Sequence, residues 1–137
     1  METSSGDVIT LSVPPRAEFV LVVRAVTASV ASRIPLTFDG IEDLRLAVDE
    51  ASARLLALPG EPTILTLILR PLPDRLDIAV GVDTIPADWP PAGIETTLGW
   101  QVLTALVDAV TLDVDGAGAS IRFTKRTPET FARSGPP

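Results

Sequence analysis

Residues 41–58, IEDLRLAVDEASARLLAL, are the segment that most constrains how this chain can fold. Asp39 can cap the start of a helix, with Glu42 three residues later as in a capping box, and Pro59-Gly60 can end it. Apolar residues recur along the segment at steps of three and four, at Ile41, Leu44, Val48, Ala51, Leu55 and Leu58. This spacing predicts an amphipathic helix with one face in a hydrophobic core and the other face available.

The rest of the chain alternates between strand and helix patterns. The patterns predict strands at residues 8–13, 63–69, 75–82, 111–114 and 119–124, and further helices at residues 17–32 and 98–110. Turn residues predict two hairpins, at 71–74 and 115–118, and the proline-rich stretch 85–97 predicts a loop. The order β, α, α, β, β, α, β, β predicts an α+β fold, a two-layer sandwich with a mostly antiparallel sheet and helices on one face.

The length of 137 residues predicts a single domain. We expect it to span residues 8–126, with flexible segments at residues 1–7 and 127–137.

Several reactive residue types are missing from the chain. It contains no cysteine, histidine, asparagine or tyrosine, and Lys125 is its only lysine. No disulfide can form, and most side chains used in nucleophilic, imidazole-based or transition-metal chemistry are absent. Any catalysis would therefore depend on carboxylates and hydroxyls.

The formal net charge of −7 argues against contact with a nucleic-acid backbone. A basic protein surface would be a better partner, although acidic surfaces also serve solubility alone. The start METSSGD lacks the features of a signal peptide, and no apolar run approaches the roughly 18 residues of a membrane helix. We therefore expect a cytoplasmic protein without a membrane segment.

The stretch from Leu44 to Arg54 carries the first functional signal. It resembles the N-box helix of the anti-sigma factor kinases of the RsbW/SpoIIAB type, a branch of the GHKL ATPase superfamily, whose pattern is roughly L-x-x-A-V-x-E-A-x-x-N. In that family the Glu is a general base and the Asn holds the magnesium of bound ATP, which implies these positions for Glu50 and Arg54. A guanidinium has no lone pair to offer a metal ion. Without nucleotide, the two residues predict an i,i+4 salt bridge.

Two further stretches resemble boxes of the same family. Where the family has D-x-G-x-G, with an Asp that binds adenine, this chain reads LDIAVGVDTIP, and Asp83 is displaced by one residue, which turns a strand side chain to the opposite face. Residues 98–126 resemble the G2 box, helix and closing hairpin, but the G-x-G becomes Thr97-Leu98-Gly99. The resemblance covers roughly residues 8–126 and implies a GHKL fold. It also implies degenerate nucleotide-binding positions at Arg54, Asp83, Thr97 and Gly99.

The resemblance implies a cytoplasmic anti-sigma factor that sequesters an alternative sigma factor of the stress-response or sporulation type. It also implies a homodimer, and release of the sigma factor by an anti-anti-sigma protein of the STAS type. Arg16 and Arg24 are predicted to contact the partner, because family members use basic residues there, although both can equally be solvated surface arginines. We expect no cofactor and no metal site, and ATP with Mg²⁺ only if the family site still functions.

Two other functions stay open at this point. One is an active serine/threonine kinase of an anti-anti-sigma protein, in which Glu50 is the catalytic base. The other is a non-catalytic dimeric scaffold outside transcription.

Overall fold

A computed structural model describes residues 6–116 and 118–128 of the chain. Three α-helices lie within these residues, α1 (Val20–Ala31), α2 (Phe38–Leu56) and α3 (Leu98–Leu106). The strands are β1 (Ile9–Val13), β2 (Leu65–Leu72), β3 (Arg75–Val82), β4 (Ala109–Asp115) and β5 (Gly118–Arg126). No helix of the described residues is long and apolar enough to span a lipid bilayer.

The five strands form one sheet in the order β1-β2-β3-β5-β4, with every neighbouring pair antiparallel. A short hairpin turn joins β2 to β3, and β4 and β5 follow each other in the chain as an antiparallel pair. Val80, in the middle of the sheet, pairs with Leu67 on one side and Ile121 on the other. The predicted α+β class, with an antiparallel sheet and three helices, is therefore confirmed.

The core lies between one face of the sheet and the three helices. The fully buried side chains with the largest volumes come from both layers: Leu44, Leu55, Leu65, Leu67, Leu69, Leu76, Leu103 and Ile121. Burying one such side chain contributes about 1.5–3 kcal/mol to folding. The apolar stripe predicted for α2 is in this core, with Leu44, Val48 and Leu55 almost completely buried.

The start of α2 differs from the prediction. Thr37, rather than Asp39, is the N-cap, and its side chain accepts a hydrogen bond from the backbone N–H of Gly40 at 2.9 Å. Glu42 does not complete a capping box but pairs with Arg45 at 3.2 Å. Either a Thr or an Asp can cap a helix, so the residue types alone do not decide which of the two does so.

The end of α3 and its exposed face also differ from the prediction. The helix ends at Leu106 instead of residue 110, because Val107 is buried in an extended conformation and β4 starts at Ala109. Lys125 on β5 donates to the carbonyl of Leu106 at 2.8 Å, which satisfies a carbonyl left free at the helix end. The apolar spacing that predicts the helix at residues 98–110 begins at Leu98, but Leu98 is 75% exposed.

Other boundaries shift by a few residues. The segment before α1 is a 3-10 turn at Ala17–Phe19, and β2 continues through Leu72, which shortens its hairpin turn. The loop at 85–97 contains a second 3-10 turn at Ile94–Thr96. Most of the two terminal segments predicted to be flexible lies outside the described residues, and the domain limits stay a prediction.

Candidate functional site

Glu50 and Arg54 form the predicted ion pair on the polar face of α2. Arg54 Nε donates to Glu50 Oε2 at 2.7 Å, with the two side chains 46% and 25% exposed respectively. The pair uses the Nε–H of the guanidinium, so its two terminal nitrogens retain donors for a second acceptor. As an exposed i,i+4 pair it contributes about 0.3–0.5 kcal/mol to stability, which is too little to hold the two side chains in place by itself.

The Arg54 guanidinium packs against the start of α3. A β-carbon placed on the buried Gly99 would lie only 1.9–2.2 Å from three atoms of the guanidinium, so Arg54 lies in space that glycine leaves open. At the far end of the helix pair, Lys125 joins Asp43 of α2 to the end of α3. These two contacts show that α3 runs antiparallel to α2, with its N-terminus beside Arg54.

Thr97 is the N-cap of α3 and completes this cluster. Its Oγ1 accepts a hydrogen bond from Trp100 N at 3.3 Å and donates to Ile94 O at 2.6 Å. The structure thus brings together three of the four positions implied for nucleotide binding, which are Arg54, Thr97 and Gly99.

Asp83 does not join that cluster. Its carboxylate accepts hydrogen bonds from Thr63 N at 2.8 Å, from Thr63 Oγ1 and from Ile64 N at 3.3 Å. These bonds lower the pKa of Asp83 below its ordinary value, with the Thr63 hydroxyl the largest cause. Asp83 lines a groove with Thr66, Gly81 and Ser120, on the sheet face that carries no helices. The Asp83 carboxylate therefore fixes the two residues that lead into β2.

A pocket of about 280 Å³ opens beside the cluster, beneath the loop at 85–97. Its walls are mostly apolar and include Trp89, Trp100, Leu58 and Leu112, and Arg54 lies at its polar edge. Trp89 holds the loop against the sheet, because its Nε1–H donates to the carbonyl of Asp113 on β4 at 2.9 Å. No pattern in the sequence predicts this pocket. The available signal was that one of the two tryptophans of the chain lies in the proline-rich loop and the other in the helix that follows it.

Comparison with known proteins gives the family relationship. Over 108 residues the chain is 32% identical to the protein named anti-sigma-F factor RsbW of Mycobacterium tuberculosis (strain ATCC 25618 / H37Rv), covering 79% of this chain and 62% of that protein. Over 83 residues it is 30% identical to the serine-protein kinase RsbW of Bacillus cereus (strain ATCC 10987 / NRS 248), covering 59% and 52% respectively. This chain is a homologue of RsbW. It spans between about half and three fifths of the length of these relatives, and no family model matches it.

The RsbW homologue does not offer the ligands that a magnesium nucleotide needs at the N-box position. Arg54 brings a permanent cation to the position that the resemblance implies for the family's metal-binding amide, and its guanidinium lies against Gly99. Among the described residues, no group of three or more acidic side chains is arranged to hold a metal ion. The side chains at this position therefore do not fit a magnesium ion bound in the family manner.

The two arginines predicted to contact a partner have different surroundings in this RsbW homologue. Arg24 on α1 donates to Asp49 on α2 through Nε at 3.0 Å, and Nη2 lies 2.7 Å from the same carboxylate. Asp49 raises the pKa of Arg24 above its ordinary value, mainly through the hydrogen bond. Arg16 is 62% exposed, lies over the ring of Phe19 at 5.1 Å and pairs with Glu18 at 3.5 Å. Arg24 thus joins two helices, whereas Arg16 is the more accessible of the two.

Proposed function

We propose that this chain is an anti-sigma factor that sequesters an alternative sigma factor by binding it. The observation that carries the proposal is the 32% identity, over 79% of this chain, to a protein named anti-sigma-F factor. The fold supports the proposal, because an antiparallel sheet covered by a layer of helices is consistent with the GHKL-type fold that the resemblance implies. Sequestration requires a binding surface and no chemical step, so the loss of metal ligands does not prevent it.

The state of the N-box supports binding without nucleotide. In phosphoryl transfer, metal ions and cationic side chains position the phosphates before a general base can contribute. Glu50 is retained, but its carboxylate is paired with Arg54 at 2.7 Å. We infer that this pair is structural in the resting protein, and that sigma-factor binding does not depend on ATP and magnesium.

A serine/threonine kinase is the second candidate function. It is favoured by Glu50, which stands at the position of the general base, and by relatives named serine-protein kinase. In this case the phosphates would have to be positioned by groups other than the family amide. Transfer of labelled phosphate to a STAS-type protein, abolished by Glu50→Gln, would support the kinase.

The remaining parts of the proposal concern partners and location. We infer a cytoplasmic homodimer in a stress-response pathway, from which a STAS-type anti-anti-sigma protein releases the sigma factor by competition. Arg16 is proposed to contact the partner, because it is exposed and close to the start of α1. Arg24 stays a proposed contact, but Asp49 would have to release it or share it.

Affinity capture tests the proposal directly. The tagged chain would be recovered from its native cytoplasm with no nucleotide added, and the bound proteins identified by mass spectrometry. We expect a sigma factor among them at the same level with and without a chelator. If neither a sigma factor nor a STAS-type protein is recovered, the anti-sigma proposal fails and the scaffold alternative takes its place.

A further inference from the structure

We infer that the pocket beneath the loop at 85–97 binds a small amphipathic carboxylate, with its apolar body against Trp89 and Trp100 and its carboxylate on Arg54. The inference goes beyond sigma-factor binding and does not depend on it. It rests on the walls of the pocket, on the charge at its edge and on the groups that hold it open.

The walls of the pocket select for an apolar body. Leu58 at the end of α2, Leu112 on β4 and Ile121 on β5 line it together with the two indole rings. Apolar and aromatic walls with a few polar groups are typical of small-molecule sites, and about 280 Å³ is near the lower end of their range of sizes. The walls therefore favour a small molecule with an apolar body, whose apolar surface is shielded from water in the pocket and exposed to water when the molecule leaves.

The edge of the pocket selects for a single negative charge. Among the described residues that line the pocket, Arg54 alone is charged, and its terminal nitrogens retain donors beyond the bond from Nε to Glu50. A planar guanidinium can bind a carboxylate through two parallel hydrogen bonds, which are stronger than hydrogen bonds between neutral groups. Glu50 already offsets part of the positive charge, so the edge suits a monoanion better than a multiply charged phosphate chain.

The polar groups of the lining do not suit a nucleotide. Besides Arg54 and the indole N–H groups of the two tryptophans, the described part of the lining has one polar side chain, Thr97, whose hydroxyl already donates to Ile94 O and accepts from Trp100 N. Asp83, the candidate for the adenine-binding Asp of the related family, is hydrogen-bonded to Thr63 instead. The apolar walls therefore disfavour a nucleobase, because its ring nitrogens and amino group would lose their hydrogen bonds to water.

A hydrogen bond from Trp89 to the sheet holds the loop that covers the pocket. The Nε1–H of Trp89 donates to Asp113 O at 2.9 Å and ties the loop to the edge strand β4. A ligand therefore does not have to order the loop when it binds, and this preorganisation favours affinity.

Intrinsic fluorescence gives a direct test, because Trp89 and Trp100 are the only tryptophans and both line the pocket. The purified chain would be titrated with butyrate, octanoate and 3-phenylpropionate, and with the uncharged 3-phenylpropionamide. We expect a saturable change in tryptophan emission, tighter binding for the two larger carboxylates, and binding of the amide at least about tenfold weaker than that of its acid.

Two variants assign the charge to Arg54. In Arg54→Gln the acid and the amide should bind equally, and in Arg54→Lys the preference for the acid should persist in weaker form. Arg33→Gln is a matched control, because Arg33 is an exposed arginine that does not line the pocket. Urea unfolding of each variant would confirm that the fold is retained.

Three results would overturn the inference. The first is no saturable emission change with any of the three carboxylates. The second is an acid-over-amide preference that survives in Arg54→Gln. The third is tighter binding of ATP than of the carboxylates, which would make the pocket a nucleotide site. None of these results depends on whether a sigma factor is captured, so this inference and the proposed function can fail separately.

Discussion

The guanidinium of Arg54 lies where the β-carbon of any residue larger than glycine at position 99 would be. The distance from that β-carbon position to Arg54 Nη2 is 1.9 Å. The contact joins the end of α2 to the start of α3. It also places a cation beside a helix N-terminus, which carries a partial positive charge of its own. Glu50, bonded to Arg54 Nε, supplies the negative charge that makes this arrangement tolerable.

Gly99→Ala should displace Arg54 without unfolding the protein. The atoms in the way are the far end of a flexible side chain, so the free energy of unfolding should change by no more than about 1 kcal/mol. Gly118→Ala is the matched control, because its β-carbon would lie 1.7 Å from the backbone oxygen of Val82. Moving a strand costs about 1–3 kcal/mol or more. Urea unfolding measures both, and equal losses would contradict the assigned contact.

Leu44→Ala should destabilise the fold strongly, whereas Leu46→Ala on the same helix should not. Leu44 is fully buried between α2 and the sheet, so its truncation leaves a cavity and costs about 2–5 kcal/mol. Leu46 is 55% exposed, and its truncation should change the free energy of unfolding by less than about 0.5 kcal/mol. Chemical denaturation measures the free energy of unfolding of both variants. A similar loss of stability in both would contradict the face of α2 that the structure assigns to the core.

Asp83 should stabilise the fold in a pH-dependent manner. Hydrogen bonds from Thr63 lower its folded-state pKa, so the stabilisation is complete above the unfolded-state pKa, about 3.9, and is lost as the pH falls through the folded-state value. Asp83→Asn should therefore flatten the acid side of the stability profile. Thr63→Val should do much the same, and the double variant should lose little more than either single one. Fully additive losses would show that the two residues act independently.

Arg16→Glu should weaken capture of the sigma factor. Arg16 is exposed near the start of α1, and reversal of its charge at the proposed contact should lower the affinity by about tenfold, or about 1.4 kcal/mol. Arg33→Glu, at an exposed position after the end of α1, should leave the affinity unchanged. Equal binding by the two variants and the unchanged chain would remove Arg16 from the interface.

The sequence was most informative where a periodic pattern of apolar residues was long, in the helix layer and in the sheet alike. The stripe from Leu44 to Leu55 identified α2 and its buried face, and the alternation in residues 75–82 identified β3. The ion pair of Glu50 with Arg54 followed from spacing alone. Each of these features depends on residues close together in the chain, so the sequence pattern contains the necessary information.

The features that sequence reasoning missed depend on contacts between distant segments. The end of α3 is set by burial of Val107 and by Lys125 from a later strand. The packing of Arg54 on Gly99 and the bond from Trp89 to Asp113 each join different elements. No local pattern reports such contacts, and a proline-rich loop gives no sign of what lies beneath it.

The most direct test of the central claim is calorimetric titration of the purified chain with ATP and magnesium. Because Arg54 stands at the position that the resemblance implies for the metal-binding amide, and Asp83 is hydrogen-bonded to Thr63, we expect no binding in the micromolar range. This result would support an anti-sigma factor that acts by binding alone. Micromolar binding of ATP that depends on magnesium, together with transfer of its phosphate to a STAS-type protein, would contradict the account.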